Sequence, residues 1–337
     1  MSVTKGSRSM QRTPQEAKAV VRSVYGAIAE RASPGGCCGS SVSCCGPSGS
    51  SSEALGYSKS ELAAVPEGAD LGLGCGNPQA IAALKPGERV LDLGSGAGFD
   101  AFLAARQVGP LGSVIGVDMT PQMIARARAN AAKVALSHVE FRLGEIEHLP
   151  VADDSIDVVM SNCVINLAPD KPAVFREAFR VLAPGGRLAI SDIVAIGDLP
   201  AALASDPEAY TGCIAGAAAV ADVQAMLTAA GFEHVSISLQ GYSRAMVDGW
   251  SPGSGAADVI ASALIEAVKP AGVKTEVVMS TRNTVASVGP SSAAAPEPCC
   301  DTVLLSACCP PEEKPGCCGQ THEAAACGCQ ANEPATR

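Results

Sequence analysis

The chain has 337 residues with a formal net charge of −10; 47% are apolar, 3% aromatic and 17% charged. At ~150 residues per domain, the length predicts about two structural units around a core built mainly from Ala, Val, Leu and Ile. The acidic charge disfavours nucleic-acid binding. No apolar run approaches the ~18 residues of a membrane span, and the N-terminal residues lack the apolar stretch of a secretory signal. We therefore expect a soluble, cytoplasmic protein.

The first predicted element is a helix over residues 13–32. Thr13 suits the N-cap, Pro14 the first helical position, and Glu16 completes a capping box. Apolar residues then recur at helical spacing. The following segment, Ser33 to Ser52, consists largely of Ser, Gly, Pro and Cys, which predicts a loop or linker.

Short apolar runs alternate with helical segments from about residue 89 to residue 240. The strand candidates are 89–94, 113–118, 139–144, 155–162 and 187–193, with another after Gly231. The helix candidates lie near 98–107, 121–134, 171–183 and 219–230. This alternation predicts an α/β fold with a doubly wound parallel sheet. Periodicity alone does not decide between strand and helix for residues 256–268.

Cysteine is the unusual component of the chain, with 15 residues. An odd number cannot pair completely within one chain, and without an export signal we expect thiols that serve metals or catalysis. Eight of them follow residue 298, in a tail from about residue 286 that has no periodic core face and is predicted to be disordered. The tail is either an arm that collects soft metals or a low-complexity segment without function.

A glycine-rich turn in VLDLGSGAGFD, residues 90–100, is the first motif with chemical content. Gly94, Gly96 and Gly98 allow a tight turn between a strand and a helix, where doubly wound sheets bind ligands. Their spacing is G-x-G-x-G, not the G-x-G-x-x-G of dinucleotide sites, which favours a ligand without a pyrophosphate. Asp118 ends the next strand and is placed to accept hydrogen bonds from ribose hydroxyls.

Isolated thiols occur at three predicted rim positions: Cys75 in LGCGNP, Cys163 in SNCVINL and Cys213 in YTGCIAGA. Each alone is most simply a buried apolar cysteine. None of the four histidines lies in a motif that would make it the general base for a nitrogen or oxygen acceptor. Three isolated thiols at three rim positions make the interpretation as simple buried cysteines less favourable.

The family resemblance rests on segments that occur in order: LGLGCGNP, VLDLGSGAGFDAF, VIGVDMTPQMI, FRLGEIEHLP, SNCVINLAPDKPAVFREAFRVLAPGGRLAISDIV and GCIAGA. Over about residues 56–270 they resemble the arsenite S-adenosylmethionine methyltransferases, a class I methyltransferase family. The resemblance implies a Rossmann-like sheet, S-adenosyl-L-methionine as cofactor, and methylation of trivalent arsenic in arsenic detoxification. The domains expected are an N-terminal helix and Cys-rich arm (1–55), a cofactor-binding domain (56–195), a smaller C-terminal arsenic-binding part (196–285) and a disordered Cys-rich tail (286–337).

The resemblance also implies roles for individual residues. The expected arsenic ligands are Cys75, Cys163 and Cys213, joined by a cysteine of the N-terminal arm. The arm offers Cys37, Cys38, Cys44 and Cys45, of which Cys44 and Cys45 lie nearest in spacing to Cys75. The expected cofactor residues are Asp92, Gly94, Ser95, Gly96 and Gly98 for the methionine part, Asp118 for the ribose, Met119, Glu145 and Ile146 for the adenine, and Asn162 for the sulfonium side.

The chemistry of trivalent arsenic fits such a site. Thiolates are its preferred ligands because it is a soft centre, and three sulfurs leave its lone pair free to attack a methyl group without a base. The expected partners are arsenite or its thiol conjugates and a thiol reductant such as thioredoxin or glutathione. The alternatives are a methyltransferase of an organic small molecule and a soft-metal-binding chaperone on a methyltransferase scaffold. A zinc site in the folded body is disfavoured, because no paired C-x₂-C motifs occur there.

Overall fold

The sheet at the centre of the molecule is known from a computed structural model, which describes residues 13–31, 52–134 and 136–272. All of these residues belong to one compact unit. The predicted tail and the predicted ligands Cys44 and Cys45 lie outside the described residues. Among the described helices, none is both long and apolar enough to cross a membrane.

Eight strands form the sheet in the described part of the chain. In chain order they are β1 (Arg89–Leu93), β2 (Ser113–Asp118), β3 (Val139–Leu143), β4 (Ile156–Asn162), β5 (Leu182–Ala195), β6 (Ala218–Ala219), β7 (Glu233–Leu239) and β8 (Ile260–Val268). Their order across the sheet is β3-β2-β1-β4-β5-β8-β7, and β6 pairs with β5. The first five strands run parallel, whereas β8 is antiparallel to both β5 and β7.

The described helices cover both faces of the sheet and its carboxyl end. In chain order they are α1 (Pro14–Arg31), α2 (Lys59–Ala64), α3 (Gln79–Ala82), α4 (Phe99–Val108), α5 (Pro121–Ala131), α6 (Lys171–Val181), α7 (Ala201–Ala204), α8 (Pro207–Thr211), α9 (Val220–Ala230), α10 (Ser243–Trp250) and α11 (Ala256–Val259). Short 3₁₀ turns occur at Ser52–Leu55 and Ile165–Leu167.

Alternate residues of each central strand face opposite cores. Leu91 and Val159 belong to the core that α6 and α9 cover, whereas Val90 and Val158 belong to the core that α4 and α5 cover. Burial on both faces explains why these strands read as continuous apolar runs. A third cluster lies at the carboxyl end of the sheet and contains all three predicted thiols.

The predicted α/β fold and doubly wound sheet are confirmed, including the capping box at the start of α1, where Thr13 and Glu16 exchange hydrogen bonds. Strand β8 departs from the parallel arrangement, since it is antiparallel to both of its neighbours. The undecided segment 256–268 contains both a short helix and a strand, because its second part completes the sheet beside β5 over nine register pairs. Strand β5 is longer than predicted, with a register irregularity at its start.

Candidate functional site

The carboxyl ends of β1, β2, β4 and β5 meet at one edge of the sheet and form the floor of a cleft. Leu93 pairs with both Val117 and Ser161, and Asn162 pairs with Ser191, so the residues after these strands become neighbours. The cleft has about 1080 Å³ of free space, including its open mouth, which is ample for a small-molecule cofactor. Of the predicted cofactor residues, the following line it: Asp92, Gly94, Ser95, Gly96, Asp118, Met119, Ile146 and Asn162.

Three acidic side chains, Asp92, Asp100 and Asp118, line the floor of the cleft. Burial, followed by the charges of Asp100 and Asp118, raises the pKa of Asp92 well above its usual range. Its Oδ2 atom and the Ser95 hydroxyl are buried and have no hydrogen-bond partner among the described residues. A buried carboxyl group with one unpartnered oxygen, next to two other acidic groups, fits a ligand that brings positive charge and hydrogen-bond donors.

Asp118 stabilises the glycine-rich turn. One of its carboxylate oxygens accepts a hydrogen bond from the Gly96 amide (3.0 Å) and the other accepts one from the Thr120 amide (2.8 Å). Burial nevertheless raises the pKa of Asp118. Gly94 in the same turn has φ +67°, and a Cβ there would meet Val164 side-chain atoms at 2.5–2.9 Å. The turn is therefore shaped by backbone that only glycine adopts readily.

Gly98, predicted to cradle the cofactor, is not among the cleft-lining residues. It begins α4 with φ +97°, and a Cβ at this position would lie 2.7 Å from the Phe102 ring and 2.8 Å from the Phe141 ring. Those two rings pack edge to face with centroids 5.5 Å apart. The need for glycine here therefore comes from backbone conformation and aromatic packing in the core.

Helix α1 lies over the cleft and is held there by charge. The buried Lys18 ammonium is 2.6 Å from Glu145 and 3.0 Å from Glu147, and Arg22 also pairs with Glu145. Burial by itself lowers the pKa of Lys18, but the hydrogen bonds to the two glutamates raise it overall. Glu145, predicted to contact adenine, is not in the lining and is held by α1, whereas its neighbours Ile146 and Glu147 line the cleft.

The depressed pKa of Glu145 gives this contact a pH dependence. The hydrogen bond from Lys18 is the largest cause of the depression. Because the folded-state pKa lies below the unfolded value, the stabilisation is complete above the unfolded pKa and is lost as the pH falls through the folded one.

Replacing Lys18 with methionine is expected to detach α1 and to weaken cofactor binding. Glu147 would remain buried without its cationic partner, a loss of roughly 3–5 kcal/mol in the free energy of unfolding. Thermal unfolding, amide hydrogen exchange of α1 and cofactor titration measure the effect. Lys59→Met is the matched control, because the Lys59 side chain is 90% exposed and 3.8 Å from Glu53. Equal behaviour of the two variants would contradict the docking role of Lys18.

The three predicted thiols converge beside this cleft. Cys75, Cys163 and Cys213 are 0%, 7% and 3% exposed, and none forms a disulfide. The Cys163 thiol interacts with both the Cys75 and the Cys213 thiol. Cys213 also donates a hydrogen bond to the carbonyl oxygen of Cys163 at 3.1 Å. Of the three, Cys163 alone lines the cleft, so it connects the thiol cluster (Cys75, Cys163 and Cys213) to the cofactor side.

Backbone strain accompanies two of these thiols. Cys163 has φ +58° and Cys213 has φ +63°, in the left-handed region that favours glycine. Each costs of order 1–3 kcal/mol, and such strain persists where the surrounding structure enforces it. Here the Cys163 amide donates to the Ser191 carbonyl at 2.8 Å. Strain at two thiol positions in one cluster is typical of a functional site.

The pKa values of all three thiols are raised, which favours their protonated form. Burial is the main cause that raises the pKa of Cys75, to about 11. The hydrogen bond with Cys163 and burial raise the pKa of Cys213 well above its usual range. At Cys163 the hydrogen bond from Cys213 favours the thiolate, but the bond to Cys75 and burial outweigh it and raise the pKa. The thiolates that arsenic prefers would therefore form as it binds.

Asn162 connects the segment around Cys75 to the floor of the cleft. Its side-chain oxygen accepts a hydrogen bond from the Cys75 amide at 3.1 Å. Its amide nitrogen lies 3.0 Å from the Gly76 carbonyl, 3.1 Å from the Tyr57 hydroxyl and 3.1 Å from an Asp100 carboxylate oxygen. Asn162 directly precedes Cys163 and also holds the backbone of Cys75, so it positions both of these thiols relative to each other.

Asp192 is a site residue that sequence reasoning missed. A carboxylate oxygen of Asp192 and the sulfur atoms of Cys75 and Cys163 all lie within 4.8 Å of one another. Burial raises the pKa of Asp192 to about 6, against the opposing effect of hydrogen bonds from the Ile193 and Ile165 amides. One sequence signal could have identified Asp192. This residue lies near the end of β5 and directly follows Ser191, the strand partner of Asn162.

The chain is similar to several known methyltransferases. A model of the methyltransferase domain matches residues 84–231. An arsenite methyltransferase from Halobacterium salinarum is 54% identical over 77% of this chain and 68% of its own. One from Aquipseudomonas alcaligenes is 48% identical over 43% of each chain.

Similarity also extends to a solved structure. The crystal structure of an arsenic(III) S-adenosylmethionine methyltransferase from Chlamydomonas reinhardtii is 39% identical, with a TM-score of 0.50, over 59% of this chain and 68% of that one. The acidic floor with its unpaired Asp92 oxygen fits the sulfonium and ammonium charges of S-adenosyl-L-methionine. On the identity and coverage of the Halobacterium salinarum relative, the chain belongs to the arsenite methyltransferase family of S-adenosyl-L-methionine-dependent enzymes.

Proposed function

We propose that the chain methylates trivalent arsenic held by Cys75, Cys163 and Cys213, at the expense of S-adenosyl-L-methionine, and so serves arsenic detoxification in the cytoplasm. The observation that carries this proposal is the convergence of three buried thiols on the cleft through Cys163. Sulfur is the donor that a soft centre such as arsenic prefers over oxygen. A lone structural cysteine needs neither two thiol neighbours nor a strained backbone.

The thiols of the cluster can replace the hydroxides of arsenite without an external base. Arsenite enters as As(OH)₃, each thiol gives its proton to one hydroxide, and three water molecules leave as three As–S bonds form. The raised pKa of Cys75, about 11, is therefore no obstacle, because proton and hydroxide depart together. Neutral thiols also avoid the repulsion that three adjacent thiolates and Asp192 would create in a buried site.

Because this exchange releases no proton to solvent, we expect arsenite affinity to depend little on pH. Between about pH 6.5 and pH 8, below the pKa of about 11 at Cys75, we expect arsenite affinity to change by less than about threefold. Quenching of Trp250 fluorescence or a radiotracer binding assay measures it. A tenfold gain in affinity per pH unit would mean that a proton is released to solvent, contrary to this exchange.

The cluster leaves arsenic pyramidal, with three sulfur ligands and an unshared electron pair on the open side. When bound, S-adenosyl-L-methionine supplies a methyl group on a positively charged sulfonium. Asp92, Ser95 and Asp118 would hold the amino-acid and ribose parts, and Met119 and Ile146 would pack against the adenine. Because arsenic carries no proton to remove, the chain has only to position its ligands, and such placement contributes roughly 7–11 kcal/mol.

Methyl transfer raises the formal oxidation state of arsenic, since the carbon arrives without its bonding electrons. A further cycle therefore needs two electrons from a thiol reductant such as thioredoxin or glutathione.

Purified full-length chain with S-adenosyl-L-methionine, arsenite and excess thiol tests the proposal, with methylated arsenic measured by chromatography and mass spectrometry. Methylarsenicals that form only with all three components present support it. A product from an organic acceptor but none from arsenite would assign the cleft to a different substrate. Tight arsenite binding without turnover would indicate a binding protein.

A further inference from the structure

The thiol cluster has a carboxylate next to it that arsenic chemistry leaves unused. The carboxylate of Asp192 and the sulfurs of Cys75 and Cys163 form a triangle with sides of at most 4.8 Å, and all three residues are buried. Cys213 adds a third sulfur through its contact with Cys163. Four potential ligands from four separate segments of the chain thus lie in one buried cluster.

The two kinds of ligand suit different ions. Trivalent arsenic takes three sulfurs and gains little from a hard carboxylate oxygen. Zinc and similar divalent cations are four-coordinate and accept mixed sulfur and oxygen ligands. With Zn–S bonds near 2.3 Å, tetrahedral ligand atoms lie about 3.8 Å apart, so the triangle has to contract by about 1 Å at most.

Asp192 is already oriented for such a bond. Its two oxygens accept hydrogen bonds from the Ile165 amide (2.9 Å), the Ile193 amide (2.7 Å) and the Asn166 side chain (3.0 Å). A carboxylate offers about four acceptor positions, so one remains for a cation. Outer hydrogen bonds of this kind fix the direction of a metal ligand.

We propose that Cys75, Cys163, Cys213 and Asp192 together bind a thiophilic divalent cation such as Zn²⁺, and that this cation excludes arsenite from the site. On binding, three thiol protons pass to solvent and three metal–sulfur bonds and one metal–oxygen bond form. The site then carries the same net charge as a four-cysteine zinc site. Cation binding goes beyond the proposed function and does not depend on it; exclusion of arsenite does.

Asp192→Asn tests the proposal against Asp198→Asn, which removes the same charge from an exposed position six residues away. Both full-length proteins keep every cysteine, so any difference between them belongs to Asp192. Arsenite methylation is measured at buffered free Zn²⁺ with a non-chelating phosphine reductant, and each rate is divided by the same protein's rate without zinc. We expect competitive inhibition, with the zinc inhibition constant raised roughly 10–100-fold in Asp192→Asn and unchanged in Asp198→Asn.

Cobalt titration provides a second measurement that needs no turnover. Wild-type chain is expected to bind one more Co²⁺ with thiolate charge-transfer absorption than Cys75→Ser, and arsenite is expected to displace that equivalent. Equal cobalt stoichiometry in wild type and Cys75→Ser overturns the site, whether or not the chain methylates arsenic. Equal zinc inhibition in Asp192→Asn and wild type overturns the role of the carboxylate. A bound cobalt equivalent that arsenite does not displace overturns the exclusion.

Discussion

Replacing Cys163 with serine is expected to lower kcat/KM for arsenite methylation by roughly a thousandfold or more. Cys163 interacts with both other thiols, and of the three it is the one that lines the cleft. Serine keeps the size and polarity of the side chain but is a hard oxygen ligand that arsenic disfavours. The loss of activity is therefore expected to come from weaker arsenic binding and from poorer placement of arsenic for attack on the methyl group.

Cofactor binding provides the internal control for this variant. We expect the dissociation constant of S-adenosyl-L-methionine, measured by calorimetry, to stay within about threefold of wild type, because serine leaves the Asp92 and Asp118 region unchanged. Cys213→Ser, which lies outside the cleft lining, is expected to give the same loss of turnover. Activity retained in both variants would refute arsenic ligation by the cluster.

Replacing Asp92 with asparagine is expected to move stability and cofactor affinity in opposite directions. The Asp92 carboxylate is buried with one unpartnered oxygen, and Asp100 and Asp118 repel it. Removing its charge is expected to raise the free energy of unfolding at pH 7 by roughly 1–3 kcal/mol. The same change removes an anionic partner of the cofactor and is expected to weaken binding by roughly 1.5–3 kcal/mol.

Asp157→Asn is the matched control, because it removes a carboxylate from the opposite end of β4. Arg89 holds the pKa of Asp157 below its usual value through a pair of hydrogen bonds. This variant is expected to lose roughly 0.5–1 kcal/mol of stability with unchanged cofactor affinity. Denaturant unfolding and calorimetry measure both quantities. An Asp92→Asn protein that binds the cofactor normally would remove Asp92 from the cofactor site.

Local pattern was sufficient for most of the fold. The central strands are buried on both faces, so their apolar runs were visible without any contact information. The start of α1 was equally readable, since a capping box involves residues three apart. The glycine turn after β1 followed from the conformations that glycine alone adopts readily. The three thiols were found because each lies in a short motif at a predicted strand end or rim.

Residues whose roles depend on distant partners were not readable in this way. Lys18 and Glu145 are 127 positions apart, and no local signal shows that α1 lies over the cleft and holds Glu145. The turn motif that predicts a cofactor role for Gly98 does not reveal that Phe102 and Phe141 fill the space around it. The direction of β8 depended on which strand it pairs with, which its alternation alone does not specify.

The amino-acid sequence by itself determined the doubly wound architecture, the glycine-rich turn and the three cysteines that the fold brings together, since each is visible in short-range periodicity or in a short motif. The tertiary structure alone decided that Cys163 is the thiol joining the others to the cleft, that the thiols are neutral, and that Asp192 lies among them. Those properties come from burial and from distances between separate segments, which exist only once the chain has folded.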